Sequence, residues 1–255
     1  EFMHWAREQH GLAETTLGTY RIAILPFIAQ IGDNPDMYDA AAIRSFMLGR
    51  AGTVSAARLK CIGVGVRAFL RFLIATGRCP PGLDHAMPKA ATWQLTSIHR
   101  SLPDADIVRI LKACEGRRRL RDRAIILLLV RLGLRASEVA RLTFDDIDWH
   151  RGSIRLLGKR RREELLPLSQ EVGDAIVAYI ETARPSMPER VLFLTETAPI
   201  RPVNRIVIKC LATAAYRRAG IEIEHKGAHI LRHSAASAML RHGVRLADVG
   251  TVLRH

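Results

Sequence analysis

"DDIDWHRGSIRLLGKRRREELLPLS", residues 145–169, is the one convincing strand region of this chain. Short apolar runs at SIRLL and ELLPL flank a polar tip rich in arginine, the layout of two strands joined as a hairpin. Around it the spacing is helical. Before it, the basic cluster RRRLRDR follows Gly116 and leads into a strongly apolar helix through Val130; after it, helices resume from Gln170 to the end. The expected fold is mainly α, with a small β-hairpin or sheet in a C-terminal domain.

Further out, three segments repeat apolar residues at helical intervals: 13–32, 37–52 and 53–77. They make a small all-helical domain over 1–80. Pro80, Pro81, Pro88 and Pro103 then interrupt periodic structure through their fixed φ and missing N–H, so a linker is expected over 81–100. Ser101 and Asp104, with Pro103 between them, start the helix PDADIVRILKACEG and open a second domain, 101–255. A length of 255 residues suits one large domain or two smaller ones, and the change of apolar spacing near residue 80 favours two. Gly63 and Gly65 in GVGVRAF lack the third glycine and the preceding strand of a phosphate loop; they read as sites of close helix packing.

Lys plus Arg number 39 against 25 Asp plus Glu, a formal net charge of +14 and a pI near 10.6. Such an excess favours a polyanionic partner, because each neutralised phosphate releases a condensed counterion. A basic surface kept for solubility is the plainer alternative. With 48% hydrophobic residues and only 5% aromatics, cores built from Ala, Leu, Ile and Val are expected, which suits helices. Cys61, Cys79, Cys114 and Cys210 are too dispersed for a zinc knuckle and too few for a disulfide framework; they read as buried thiols in a reducing compartment. The longest apolar run, AIILLLV at 124–130, is far short of a membrane span. A soluble, cytoplasmic protein without a membrane partner is expected, and the opening EFM reads as a cloning remnant.

HILRH, residues 229–233, offers a choice of chemistries. His229 and His233, four apart on one helical face, have the spacing of a zinc pair. The glutamate expected beside the first is absent, however, and Arg232 would set a positive charge near the metal. The phosphate reading uses more of the residues: a guanidinium binds two nonbridging oxygens with a planar fork, and an imidazole beside it handles a proton. Three more segments join the pair. LGLRASEVARLTFDDID sets Arg135 at a turn into a helix with Glu138 three residues on, LLGKRRREELLPL sets Lys159 at a hairpin tip, and DVGTVLRH carries His255.

Together these motifs resemble the tyrosine recombinase family, also called phage-type integrases, whose pattern runs GLRxSE, GKxxxxxxxPL, HxLRH and LGH. The spacings agree: Pro167 lies eight residues beyond Lys159 and His255 lies 26 beyond His229. The resemblance covers 101–255 and, more loosely, the helical part before it. It implies a helical core-binding domain followed by a catalytic domain, the two forming a clamp around double-stranded DNA, and four protomers acting on two duplexes. It implies a phosphodiester transferred to tyrosine, giving a 3′-phosphotyrosine and a free 5′ hydroxyl, with no cofactor and no metal. By the same resemblance Arg135 and Arg232 clamp the scissile phosphate and Lys159 protonates the departing 5′ oxygen. His229 takes part in proton transfer and His255 hydrogen-bonds the phosphate, while Glu138 and His233 support them.

Two departures stand out. The tip reads GKRRRE where a glycine often follows the lysine, so Arg160, Arg161 and Arg162 are candidates for DNA contact. The family's nucleophilic tyrosine falls about nine residues beyond the LGH histidine, near position 264, and the chain stops at 255. Tyr20, Tyr38, Tyr179 and Tyr216 match no nucleophile position, so the expectation is a recombinase truncated before its tyrosine and inactive in cleavage. The rival reading is a binding clamp that occupies a recombination site without cutting it. A helix-turn-helix regulator leaves Arg135, Lys159, Arg232 and His255 without a common explanation.

Overall fold

The computed structural model describes residues 1–88, 101–157, 163–223 and 227–253. The chain divides into two compact units, Glu1–Thr96 and Ser97–His255.

The first unit is helical: α1 (Phe2–His10), α2 (Glu14–Ile31), α3 (Ala40–Ala51) and α4 (Ala56–Ala75). Local chemistry marks its helix starts. The Asp39 carboxylate accepts the Ala42 N–H at 2.6 Å and the Ser55 hydroxyl accepts that of Arg58 at 3.3 Å, each satisfying an amide that the first turn leaves without an intrahelical partner. Phe27, Ile43, Val66 and Leu70 are fully buried at the centre. Gly65 lets α4 approach α2, since a Cβ there would stand 2.9 Å from that of Ala23, and the expected packing role of this glycine is met. The unit runs past residue 80. Met87 is buried in its core, and buried Asp84 receives the Arg71 Nε–H at 3.0 Å, so the start of the expected linker belongs to the helical body. Phe2, in the opening EFM, is likewise a core residue and packs edge-on against Phe69.

The second unit holds α5 (Asp104–Lys112), α6 (Leu120–Val130), α7 (Ala136–Val139), α8 (Gln170–Thr182), α9 (Arg205–Arg218), α10 (Ala228–Arg241) and α11 (Leu246–Val252). A helix apolar on every side must be enclosed, and α6 is: Ala124 through Leu129 are fully buried, with α5, α8, α9 and α10 packed around it. The expected hairpin is present as β2 (Ser153–Leu157) and β3 (Glu163–Pro167), antiparallel, with Ile154 opposite Leu166 on the buried face. A short β1 (Ile147–Asp148) adds a third strand in the order β1-β2-β3.

Two expectations need correction. Helix does not run from Gln170 to the end: residues 183–204 are irregular, broken by Pro185, Pro188, Pro199 and Pro202. Arg184 organises this stretch by donating to the carbonyls of Glu189, Val191 and Leu192, with its guanidinium over the Phe144 ring at 4.8 Å. Nor are all the thiols buried. Cys79 and Cys114 are, but Cys61 and Cys210 lie on the solvent sides of α4 and α9.

Candidate active site

The site is assembled where α6 ends. Gly133 takes a left-handed φ of +60°, a conformation glycine adopts without steric cost, and Leu134 N–H closes the helix on the Leu128 carbonyl. The chain then turns directly into α7, with Arg135 at the residue that precedes it. Glu138, buried inside that short helix, accepts both the backbone N–H of Arg135 and its Nη1–H, each at 2.7 Å. One carboxylate thus caps the helix and aims the guanidinium, which keeps 38% of its side chain exposed.

Arg232 comes from α10 and is nearly enclosed, at 2% exposure. A buried guanidinium costs several kcal/mol unless its N–H groups find acceptors. Here Nη1 donates to the Gly133 carbonyl and Nη2 to that of Leu253, just beyond α11. Arg135 Nη2 reaches the same Leu253 carbonyl at 3.5 Å. Two guanidiniums almost 100 residues apart in sequence therefore converge on one oxygen. His229 is exposed on the outer side of α10, and its ring meets that of half-buried His233 edge-on at 4.2 Å between centroids. No group of three or more His, Cys, Asp or Glu side chains is placed to hold a metal ion among the described residues.

The turn before α10 is itself held. Tyr216, fully buried on α9, donates its hydroxyl to the Gly227 carbonyl at 2.8 Å, and burial raises its pKa far above the usual phenol range. Tyr179 is equally buried on α8, its oxygen accepting the Leu194 N–H at 3.2 Å. Tyr38, in the first unit, donates to the Gly32 carbonyl at 2.8 Å. Of the residues singled out from sequence, Arg135, Glu138, Arg232, His229 and His233 are described: Arg135, Glu138 and Arg232 come together around Leu253, while His229 and His233 pair with each other on α10. Lys159, Arg160, Arg161, Arg162 and His255 lie outside the described residues.

Sequence reasoning passed over Gly133 and Leu253. A Cβ at Gly133 would come within 2.4 Å of Leu253 Cδ2, so the missing side chain is what seats Leu253 beside the arginines. The glycine's place just after an apolar helix was the available signal. That of Leu253 was only its apolar character, because its partner is 120 residues away.

The chain is similar in sequence and in fold to known integrases and recombinases. The phage integrase family matches residues 100–255. The y4rA protein of Sinorhizobium fredii, an integrase/recombinase by name, is 37% identical over 98% of this chain, which spans 62% of that relative's length. The tyrosine recombinase XerD of Lacticaseibacillus casei is 28% identical over the whole chain and 88% of its own length. In fold, a lambda integrase dimer crystallised on a core site superposes with a TM-score of 0.78 at 18% identity, covering all of this chain and 89% of that one.

Proposed function

Because the chain belongs to the phage integrase family of tyrosine recombinases, we propose that it serves site-specific DNA recombination, with double-stranded DNA as its partner. The first unit is the core-binding domain and the second the catalytic domain, working as a tetramer on two duplexes. The reaction transfers a DNA phosphodiester to a tyrosine, freeing a 5′ hydroxyl, and reseals it with a partner strand. Arg135 and Arg232 grip the phosphate, whose charge in the transition state spreads over several oxygens that a preorganised pair of forks matches without reorganisation. Glu138 orients Arg135. His229 moves a proton with support from His233, Lys159 protonates the leaving oxygen, and His255 completes the hydrogen bonds to the phosphate.

The observation that carries this reading is the convergence of Arg135 and Arg232 on the Leu253 carbonyl. Guanidiniums that share one oxygen are close enough to share one phosphate. The test is Arg232→Ala in a polypeptide that includes the family's tyrosine, assayed for strand cleavage on a suicide duplex. Cleavage should fall by about 3 kcal/mol or more in activation free energy, and Arg232→Lys should restore little because an ammonium lacks the bidentate fork. Cleavage unchanged in Arg232→Ala would refute the pocket.

A second reading, a DNA-binding clamp without cleavage, applies to a polypeptide of these 255 residues alone. The side chains of Tyr38, Tyr179 and Tyr216 are buried with their hydroxyls engaged, and Tyr20 belongs to the first unit. Such a polypeptide should bind duplex DNA and form no covalent adduct. A phosphotyrosyl peptide mapped to any of the four by mass spectrometry would reverse that.

A further inference from the structure

Helix α10 carries Arg232 and His229, yet little apolar bulk holds it in place. Its buried apolar residues are Ala228, Leu231 and Ala235, with Ile230 partly buried against the same core, so one leucine is the only large one among the buried. Small side chains interdigitate weakly, and a helix held by them can rotate or slide unless directional bonds prevent it. Two such bonds tie α10 to the segment 101–104. The Ser234 hydroxyl, 3% exposed, accepts the Leu102 N–H at 2.8 Å and donates to the Ile230 carbonyl at 3.0 Å. At the far end of the helix, Arg241 pairs with Asp104 at 2.5 Å in an exposed contact that solvent screens.

Ser234 differs from an ordinary back-bonded helix serine in what it holds. Leu102 is a core residue directly before Pro103, and Pro103 has no N–H of its own to offer. The Leu102 amide is therefore the donor through which this stretch grips α10. We infer that Ser234 is a positioning residue: its bond to Leu102 sets the rotation of α10 and so fixes where Arg232 points. This rests on the reading of Arg135 and Arg232 as a phosphate grip, since it concerns the aim of that grip. Ser234 lies two residues, about 200° of helix, from Arg232, so Ser234 anchors the opposite flank of α10 from the one that faces the grip.

The experiment follows binding of inorganic phosphate to the folded 255-residue chain by calorimetry at low salt. Arg232→Ala defines which part of the signal belongs to the grip. Ser234→Ala should weaken that part about fivefold or more, the worth of one buried hydrogen bond turned into aim, while Ser234→Thr, which keeps the hydroxyl, should stay within about twofold. Replacing Leu102 by its α-hydroxy acid, which puts an ester oxygen where the N–H was, should reproduce the Ser234→Ala loss without touching α10. A purely structural serine would lower the melting temperature and leave phosphate affinity of the folded chain unchanged, and that result overturns the inference. Should the variants fail to fold, amide hydrogen exchange on the unaltered chain decides. Protection of the Leu102 N–H equal to that of the α10 amides supports the tie, and exchange at the rate of a surface amide refutes it. If Arg232→Ala itself leaves phosphate binding intact, the grip is what fails, not the positioning.

Discussion

Gly133→Ala is a one-carbon change whose cost can be worked from the structure. The residue sits at φ +60°, where an L side chain costs about 1 kcal/mol or slightly more. The new methyl would lie 2.4 Å from Leu253 Cδ2 and 3.6 Å from Ala235 Cβ. The alanine contact is ordinary; the leucine contact is not, and Leu253 must turn away or leave. Leu253 is 2% exposed, so its departure forfeits about 2 kcal/mol of burial at most. The two terms bracket the loss at about 1–3 kcal/mol, with backbone strain as the floor. The damage should be local, because Leu253 also supplies the carbonyl on which both arginines converge. Urea unfolding of the second unit, followed beside hydrogen exchange, measures both aspects. The midpoint should fall, and protection of the Val249 and Leu253 amides should fall further than that of α6. A variant of unchanged midpoint, with α11 as protected as before, would show that Gly133 does not seat Leu253.

Three other outcomes are expected. Affinity for duplex DNA should drop by roughly 0.9 log unit per log unit of salt for each phosphate neutralised, and a flat response in a salt-series binding titration would count against a DNA partner despite the net charge of +14. At the hairpin tip, Lys159→Ala in a tyrosine-bearing polypeptide should slow cleavage and spare binding. Joint replacement of Arg160, Arg161 and Arg162 should weaken binding instead, and the reverse pattern would mean that the general acid has been assigned to the wrong residue. Maleimide at neutral pH should label exposed Cys61 and Cys210 and spare Cys114 until the second unit unfolds. Burial pushes the Cys114 thiol above its usual pKa and so removes its thiolate at that pH; early labelling of Cys114, read by peptide mass, would contradict the packing around α6.

The amino-acid sequence by itself determined whatever is local or periodic. A run such as AIILLLV, apolar at every position, has to be enclosed, as α6 proves to be, and the alternation around SIRLL and ELLPL sets Ile154 and Leu166 on one face. The Arg135–Glu138 pair was legible for the same reason, since three residues across a helix start is the reach of one carboxylate to one backbone amide. Three features were missed or left open by sequence reasoning, the break at 183–204 among them even though its four prolines are a local signal. Cys61 and Cys210 face solvent because of where their helices turn, and residues 183–204 abandon the helix because four prolines and the carbonyls gathered by Arg184 impose another path. The third is the grip itself. HILRH has the spacing of a metal pair, but the missing glutamate and the charge of Arg232 already favoured the phosphate fork; the bonds that fix that fork were not legible. Only folding brings the carbonyls of Gly133 and Leu253 onto Arg232, and the amide of Leu102 onto Ser234. Those bonds link backbone groups to side chains up to 132 residues distant, and a backbone carbonyl or amide has the same chemistry at every position, so no residue letter marks which one will be used.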